Sequence, residues 1–193
     1  MIEENRKAAK PKRPWYLRKR WWFVLGFAVF FWAYFPSKLF HYPTSTLVLD
    51  RNQNLLSAQI ADDGQWRFPA SDSVPVKLEQ AVLHFEDEYF HYHFGINPVS
   101  IGRAIYQNLT QSKVVSGGST ISMQVIRLSR KNPPRTYFEK LHEMYLAIRL
   151  EAQYSKAEIL AMYISYAPYG GNVVGAETAS WRYFGRPISQ LSW

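Results

Sequence analysis

The chain has no cysteine among its 193 residues. That absence excludes a disulfide framework, a thiolate metal site and a cysteine nucleophile, so any chemistry must come from carboxylates, histidines, lysines, arginines and hydroxyls. Acidic residues are also scarce, 15 against 23 Lys and Arg, for a net charge of +8. The turn Gly117-Gly118-Ser119-Thr120 has no lysine after its second glycine, so it is not a Walker phosphate loop. No internal repeat or low-complexity tract is present, and the length suits one domain plus an appendage.

Much of the basic excess sits at the start, where Arg6, Lys7, Lys10, Lys12, Arg13, Arg18, Lys19 and Arg20 are opposed only by Glu3 and Glu4. Charge then disappears from Trp21 through Ser37, 17 residues with Trp21, Trp22, Trp32 and Tyr34 near the two ends. This is near the lower limit for a helix crossing a bilayer core of about 30 Å, and rings at both ends suit the headgroup layers. A cleaved signal peptide is the competing reading, but no convincing small-residue cleavage site follows. The expected arrangement is a single membrane pass. Residues 1–20 form a basic cytoplasmic tail, 21–37 a transmembrane anchor, and the remainder lies on the other side, which for a bacterial chain anchored in the inner membrane is the periplasm. Because the basic residues flank an apolar segment and do not line a folded face, no nucleic-acid partner is expected.

Residues 38–75 read as a small β-rich linker region. Thr46 to Leu49 and Leu55 to Ile60 alternate around Asp50-Arg51-Asn52-Gln53-Asn54, which predicts a hairpin, with a short further strand through Trp66 and Phe68. From Val76 the period becomes helical, and residues 76–193 form one lobe. Leu78, Ala81, Val82 and Phe85 predict an apolar stripe ending just before Glu86. Asn97-Pro98 opens a helix carrying Ile101, Ile105 and Leu109. A further helix follows Gly117-Gly118-Ser119-Thr120, with Ile121, Val125 and Leu128 on one side. Thr136 to Glu139 reads as a capping box for a helix with Tyr137, Leu141, Met144, Tyr145, Ile148 and Ala152 as its buried stripe, which leaves Lys140, Glu143 and Ala147 on a different face. Ser155 to Glu158 is a second box, opening a helix with Ile159, Met162, Tyr163 and Tyr166 inward. A last helix runs from Ala176 to Phe184 and stops at Gly185. The folded part is expected to be mainly α on a small β-hairpin base.

Glu86 follows Phe85 and has Tyr89, Phe90 and Tyr92 as neighbours. Partial desolvation there would raise a carboxyl pKa and suit it to general acid or base work, whereas a solvated helix end is the plainer reading of Glu86-Asp87-Glu88. His93 reads either as a site residue or as a loop histidine bonded to backbone. The glycine-rich turn before a helix offers N–H groups to a phosphate or oxyanion, though glycines open many ordinary helices. Glu143 lies one turn beyond Lys140, in the spacing of a surface ion pair. Lys156, a cation in a helix's first turn, opposes the helix dipole unless an anion compensates it. Two separated carboxylates, lysines and a phosphate-suited turn, all outside a membrane, suggest glycosyl transfer from a phosphorylated donor.

The order of these segments resembles the family 51 peptidoglycan glycosyltransferases. Glu86-Asp87-Glu88-Tyr89-Phe90-His91-Tyr92-His93-Phe94-Gly95 is similar to the family's first motif and Gly118-Ser119-Thr120-Ile121-Ser122-Met123-Gln124 to its second. Arg135 through Lys140 to Glu143 is similar to the third motif, and Lys156 to Tyr163 to the fourth. The likeness runs from about Leu47 to the C-terminus. It implies a lysozyme-like helical lobe, incomplete at its C-terminus because the family continues past the position of Trp193, and polymerisation of lipid II into glycan strands. On the same footing Glu86 would deprotonate the acceptor hydroxyl and Glu143 would act near the leaving pyrophosphate, directly or through a divalent cation such as Mg or Mn. Lys140 and Lys156 would offset phosphate charge, and His93, Ser119, Thr120 and Gln124 would bind substrate; no nucleotide is required. The partners implied are lipid II, the growing strand, the inner membrane and other cell-wall synthesis proteins. Glu139 stands where many members carry arginine, and Ser165 where asparagine is usual. Two other readings stay open: a lytic glycosidase on a similar fold, with Glu86 as general acid, and a noncatalytic inner-membrane scaffold.

Overall fold

The structure, a computed structural model, describes residues 21–29, 39–111 and 117–192. Contacts divide the chain into two units, Met1–Pro36 and Ser37–Trp193. In the first, residues 21–29 are helical; the basic tail and the rest of the anchor expected over 21–37 lie outside the described residues. Among the described residues no helix is long and apolar enough to cross a membrane.

In the second unit the hairpin forms where alternation predicts it. Strands β1 (Thr46–Leu49) and β2 (Leu55–Gln59) pair antiparallel with Thr46 opposite Gln59. Asp50 fixes the turn, its Oδ1 accepting from the backbone N–H groups of Asn52 and Asn54 at 2.7 and 2.8 Å. The further strand does not join this hairpin. β3 (Trp66–Arg67) pairs in parallel with β4 (Val173–Val174). Buried Arg67 holds β3 there, its Nη1 donating to the Pro43 carbonyl at 2.6 Å and to Asp63 at 2.9 Å. Nearby, Phe40 stacks on Tyr166 with centroids 3.7 Å apart, and the Tyr42 hydroxyl donates to the Leu128 carbonyl at 2.7 Å. These contacts strap the segment before the helices onto them.

Among the described residues six α-helices follow: α1 (Val76–Glu86), α2 (Pro98–Thr110), α3 (Ile121–Ser129), α4 (Tyr137–Gln153), α5 (Lys156–Tyr166) and α6 (Ala176–Phe184). The architecture is mainly α, as expected. Helix α3 packs on both α4 and α5, and Ile121, Met123, Val125, Leu150 and Ile159 have no exposed surface. Burying such side chains contributes roughly 1.5–3 kcal/mol each, which makes this three-helix contact the centre of the core.

The buried face of α4 is not the predicted one. Tyr137 and Leu141 are 93% and 62% exposed, while Glu143, Leu146, Ala147, Arg149 and Leu150 are buried. Apolar residues occur around most of this helix, so periodicity alone does not choose a side. Arg127 on α3 chooses it, by drawing Glu143 inward. The stripes of α1 and α2 are corrected as well. Helix α1 buries no residue and Phe85 is 87% exposed; α2 buries only Ala104. Phe85, Ile101 and Ile105 instead line an open cleft. The first capping box is half formed: Thr136 accepts from the Glu139 N–H at 3.1 Å, but the Glu139 side chain turns to Arg130. The Ser155–Glu158 box is complete.

Gly95 allows the loop after α1 to reach α4. Its φ is +79°, and a Cβ there would lie 2.7 Å from the carbonyl carbon and oxygen of Ala147, closer than any side chain tolerates and in a conformation that favours glycine.

Candidate active site

A cleft of about 880 Å³ runs between the end of α1, helix α2, residues 117–119, one face of α3 and the first half of α4. Glu86, Ser119, Gln124, Lys140 and Glu143 all line it. His93, Thr120 and Lys156 are not among its lining residues. Gln124 Nε2 donates to Glu86 Oε2 at 2.8 Å, so the C-terminus of α1 and the first turn of α3 place a carboxylate and an amide side by side.

Asp87 explains that placement. It is buried, accepts the Ile121 N–H at 3.0 Å and meets His93 Nε2 at 3.0 Å. A carboxylate on a helix N-terminus stabilises it by about 0.3–1 kcal/mol, and more when partly buried. Thr120 completes the cap. Its hydroxyl donates to the Gly95 carbonyl at 2.7 Å and accepts the Met123 N–H at 3.2 Å. The first turn of α3 is thus closed by the protein's own groups, and the glycine-rich segment contributes Gly117, Gly118 and Ser119 to the cleft wall.

Lys156 lies behind the loop. Its Nζ donates to the His93 carbonyl and to Glu151 Oε1, both at 2.7 Å, and sits 4.3 Å from the Phe90 ring centroid. Ser122 donates to the same Glu151 oxygen at 2.5 Å. The anion that offsets this first-turn cation is therefore Glu151, at the end of α4.

One turn further along α3, Arg127 grips Glu143 of α4 with two parallel bonds, Nε to Oε1 and Nη2 to Oε2, both 2.6 Å. Lys140 Nζ lies 4.0 Å from Glu143 Oε2 and donates to the Ser119 hydroxyl. Burial lowers the Lys140 pKa, Glu143 opposes that fall, and Arg127 and Arg135 add to it. Both arginines line the cleft; Arg135 opens the third motif but is given no role there, and Arg127 is a residue that the sequence reading did not select. The spacing of Arg127 to Gln124, three residues on one helix, is the signal that could have found it. On the Glu86 side, Tyr163 and Tyr169 have raised pKa values, chiefly through burial and then through the charge of Glu86. Both hydroxyls therefore stay protonated beside that carboxylate at neutral pH.

Among the described residues no group of three or more His, Asp or Glu side chains could hold a metal ion. Both Glu143 oxygens accept from Arg127. The cleft wall thus carries a carboxylate, Glu86, and the cations Arg127, Arg135 and Lys140, groups of the kinds that take up a proton and offset developing negative charge.

The family model described as Transglycosylase matches residues 52–193. Penicillin-binding protein 1C of Escherichia coli (strain K12) is 42% identical over 132 residues, covering 68% of this chain and 17% of that protein. A biosynthetic peptidoglycan transglycosylase of Aromatoleum aromaticum is 31% identical over 176 residues, 91% of this chain and 73% of the relative. One from Azoarcus sp. (strain BH72) is 37% identical over 120 residues, 62% of this chain and 52% of the relative. The chain spans 17 to 20% of the length of the penicillin-binding proteins 1C, 1F and 1B that it matches.

Proposed function

The chain belongs to the transglycosylase family, and on that footing we propose that its lobe polymerises lipid II into the glycan strands of peptidoglycan. The observation that carries the reading is the pairing within one cleft of Glu86, held by Gln124, with the cations Lys140, Arg127 and Arg135. In this mechanism the acceptor's 4-hydroxyl loses its proton to a Glu86 oxygen. The hydroxyl oxygen attacks the anomeric carbon of the lipid-linked donor from the face opposite the diphosphate. The bond from that carbon to the diphosphate oxygen breaks, the oxygen leaves with the electron pair, and configuration inverts. The departing diphosphate gains negative charge, which Lys140 and Arg135 offset from positions set before the reaction begins. Glu143 organises those cations through Arg127.

The same reading places the lobe outside the inner membrane, anchored through residues 21–37. The uncharged run and the basic residues before it support that topology. Polymerisation is tested by incubating the membrane-embedded full chain with labelled lipid II and, separately, with finished glycan. Strand growth that is lost in Glu86→Gln supports the proposal. Shortening of finished glycan without growth would establish a hydrolase instead, and complementation of a deletion strain by Glu86→Gln would leave only a scaffold.

A further inference from the structure

The cleft that is proposed to receive a diphosphate carries as many acids as strong cations on its walls. Glu86, Glu139 and Glu143 stand against Arg127, Arg135 and Lys140. Two of the acids have an evident purpose. Glu86 is held by Gln124, and Glu143 is paired with Arg127. Glu139 is the exception, because a free carboxylate on this wall would repel the ligand that Lys140 and Arg135 are placed to attract.

Its partner comes from outside the lining. Arg130, the residue that caps the C-terminus of α3, forms an ion pair with Glu139, with Nη2 to Oε2 at 3.4 Å and Nη1 on Oε1. The two side chains are 31% and 18% exposed, so solvent screens the pair only in part. The site at the end of α3 also suits a cation, because the carbonyl end of the helix dipole faces it. His142, one turn beyond Glu139, lies close enough to Arg130 for the guanidinium to help lower its pKa, after burial. It is not the group that neutralises Glu139.

We infer that Arg130 is a positioning residue for the donor half of the site, which by cancelling the charge of Glu139 and turning its carboxylate aside keeps the cleft attractive to a diphosphate. Arg130 itself touches no substrate. The inference rests on the diphosphate-donor reading above, and it adds a dependence on a residue outside the cleft wall.

The test measures binding of inorganic diphosphate to the full chain in membrane mimetic at low, fixed ionic strength, for wild type, Arg130→Gln, Glu139→Gln and the double variant. Arg130→Gln is expected to weaken binding by about tenfold, the effect of one uncompensated nearby charge. Adding Glu139→Gln to it should restore wild-type binding, which a purely structural role for Arg130 would not do. Unchanged binding in Arg130→Gln, or loss without rescue in the double variant, overturns the inference while leaving the donor site in place. Glu139→Gln alone gives a check that does not require Arg130→Gln to fold. A gain of no more than about twofold supports neutralisation by Arg130, and a gain of about tenfold or more overturns it. Absence of diphosphate binding by wild type sinks the donor-site reading, and this inference with it.

Discussion

Gln124 donates a 2.8 Å hydrogen bond to Glu86 across the junction of α1 and α3. The bond tethers one carboxylate oxygen of the proposed base, so the direction in which Glu86 presents itself to an acceptor depends on a residue thirty-eight positions away in sequence.

Loss of that amide should reduce turnover without removing the base. Hydrogen bonds to charged groups contribute about 1.5–3 kcal/mol, so Gln124→Ala is expected to lower kcat by roughly ten- to a hundredfold. Gln124→Glu places a second carboxylate beside Glu86 and should move the acidic limb of the pH–rate profile upward, because like charges raise a carboxyl pKa. Lipid II polymerisation measured across pH checks both. An unchanged profile in Gln124→Glu would show that the two side chains do not meet in the working enzyme.

Arg127 and Glu143 should behave as a unit. Glu143 has a side chain only 3% exposed, so Arg127→Ala strands a buried charge at a cost of about 3–5 kcal/mol. The double substitution Arg127→Met with Glu143→Leu is expected to recover most of the stability, yet not polymerisation. Urea unfolding and strand synthesis on the same samples separate these effects.

Lys156 presents the contrasting case. It is paired with Glu151, whose side chain is 3% exposed, and it lies behind the loop of His93. Lys156→Met should cost about 3–5 kcal/mol in stability, and Lys156→Met with Glu151→Gln should return part of it. Diphosphate binding by the double variant should stay within about threefold of wild type, a change below 1 kcal/mol. A larger loss with stability intact would assign Lys156 to the ligand after all.

The lowered pKa of Lys140 has two consequences of opposite sign. Its ammonium is lost at lower pH than that of an ordinary lysine, near 10.4, so polymerisation should fall on the alkaline side before an ordinary lysine would titrate. Lys140→Arg should move that limb to higher pH. Stability changes the other way. Between the folded and unfolded pKa values the unfolded chain binds more protons at this site, so its contribution to stability rises with pH there. Tyr163 and Tyr169, with raised pKa values, reverse the trend above about pH 10, where the unfolded phenols ionise and the buried ones do not. Chemical denaturation across alkaline pH, with and without Lys140→Arg, reads these contributions.

Capping residues mark the starts of α3 and α5, and both bounds of α6 are legible, because each rests on a local signal: Thr120 for α3, Ser155 with Glu158 for α5, Gly185 after α6. The inward side of α5 is only partly legible, since Leu160, Ala161 and Ile164 are buried where Met162 and Tyr166 were expected. The same reasoning places α4 but turns it to the wrong side, since Tyr137 and Leu141 are apolar yet exposed, Tyr137 on the cleft wall. Glu86, Gln124, Lys140 and Glu143 stand in recognisable motifs and meet in one cleft. His93, Thr120 and Lys156 stand in the same motifs and hold the loop and the cap that build it. Linear spacing carries no mark separating the two groups, because a residue that supports a site and one that faces it share the same helices.

Local chemistry was decided in the chain itself: the hairpin turn at Asp50, the caps, the absence of thiols and the candidate carboxylate at the end of α1. Which charges cancel was decided only by packing. Arg127 with Glu143, Arg130 with Glu139 and Lys156 with Glu151 join helices or their caps, and such pairing depends on distance and desolvation between elements. Neither quantity exists until the helices are set against each other.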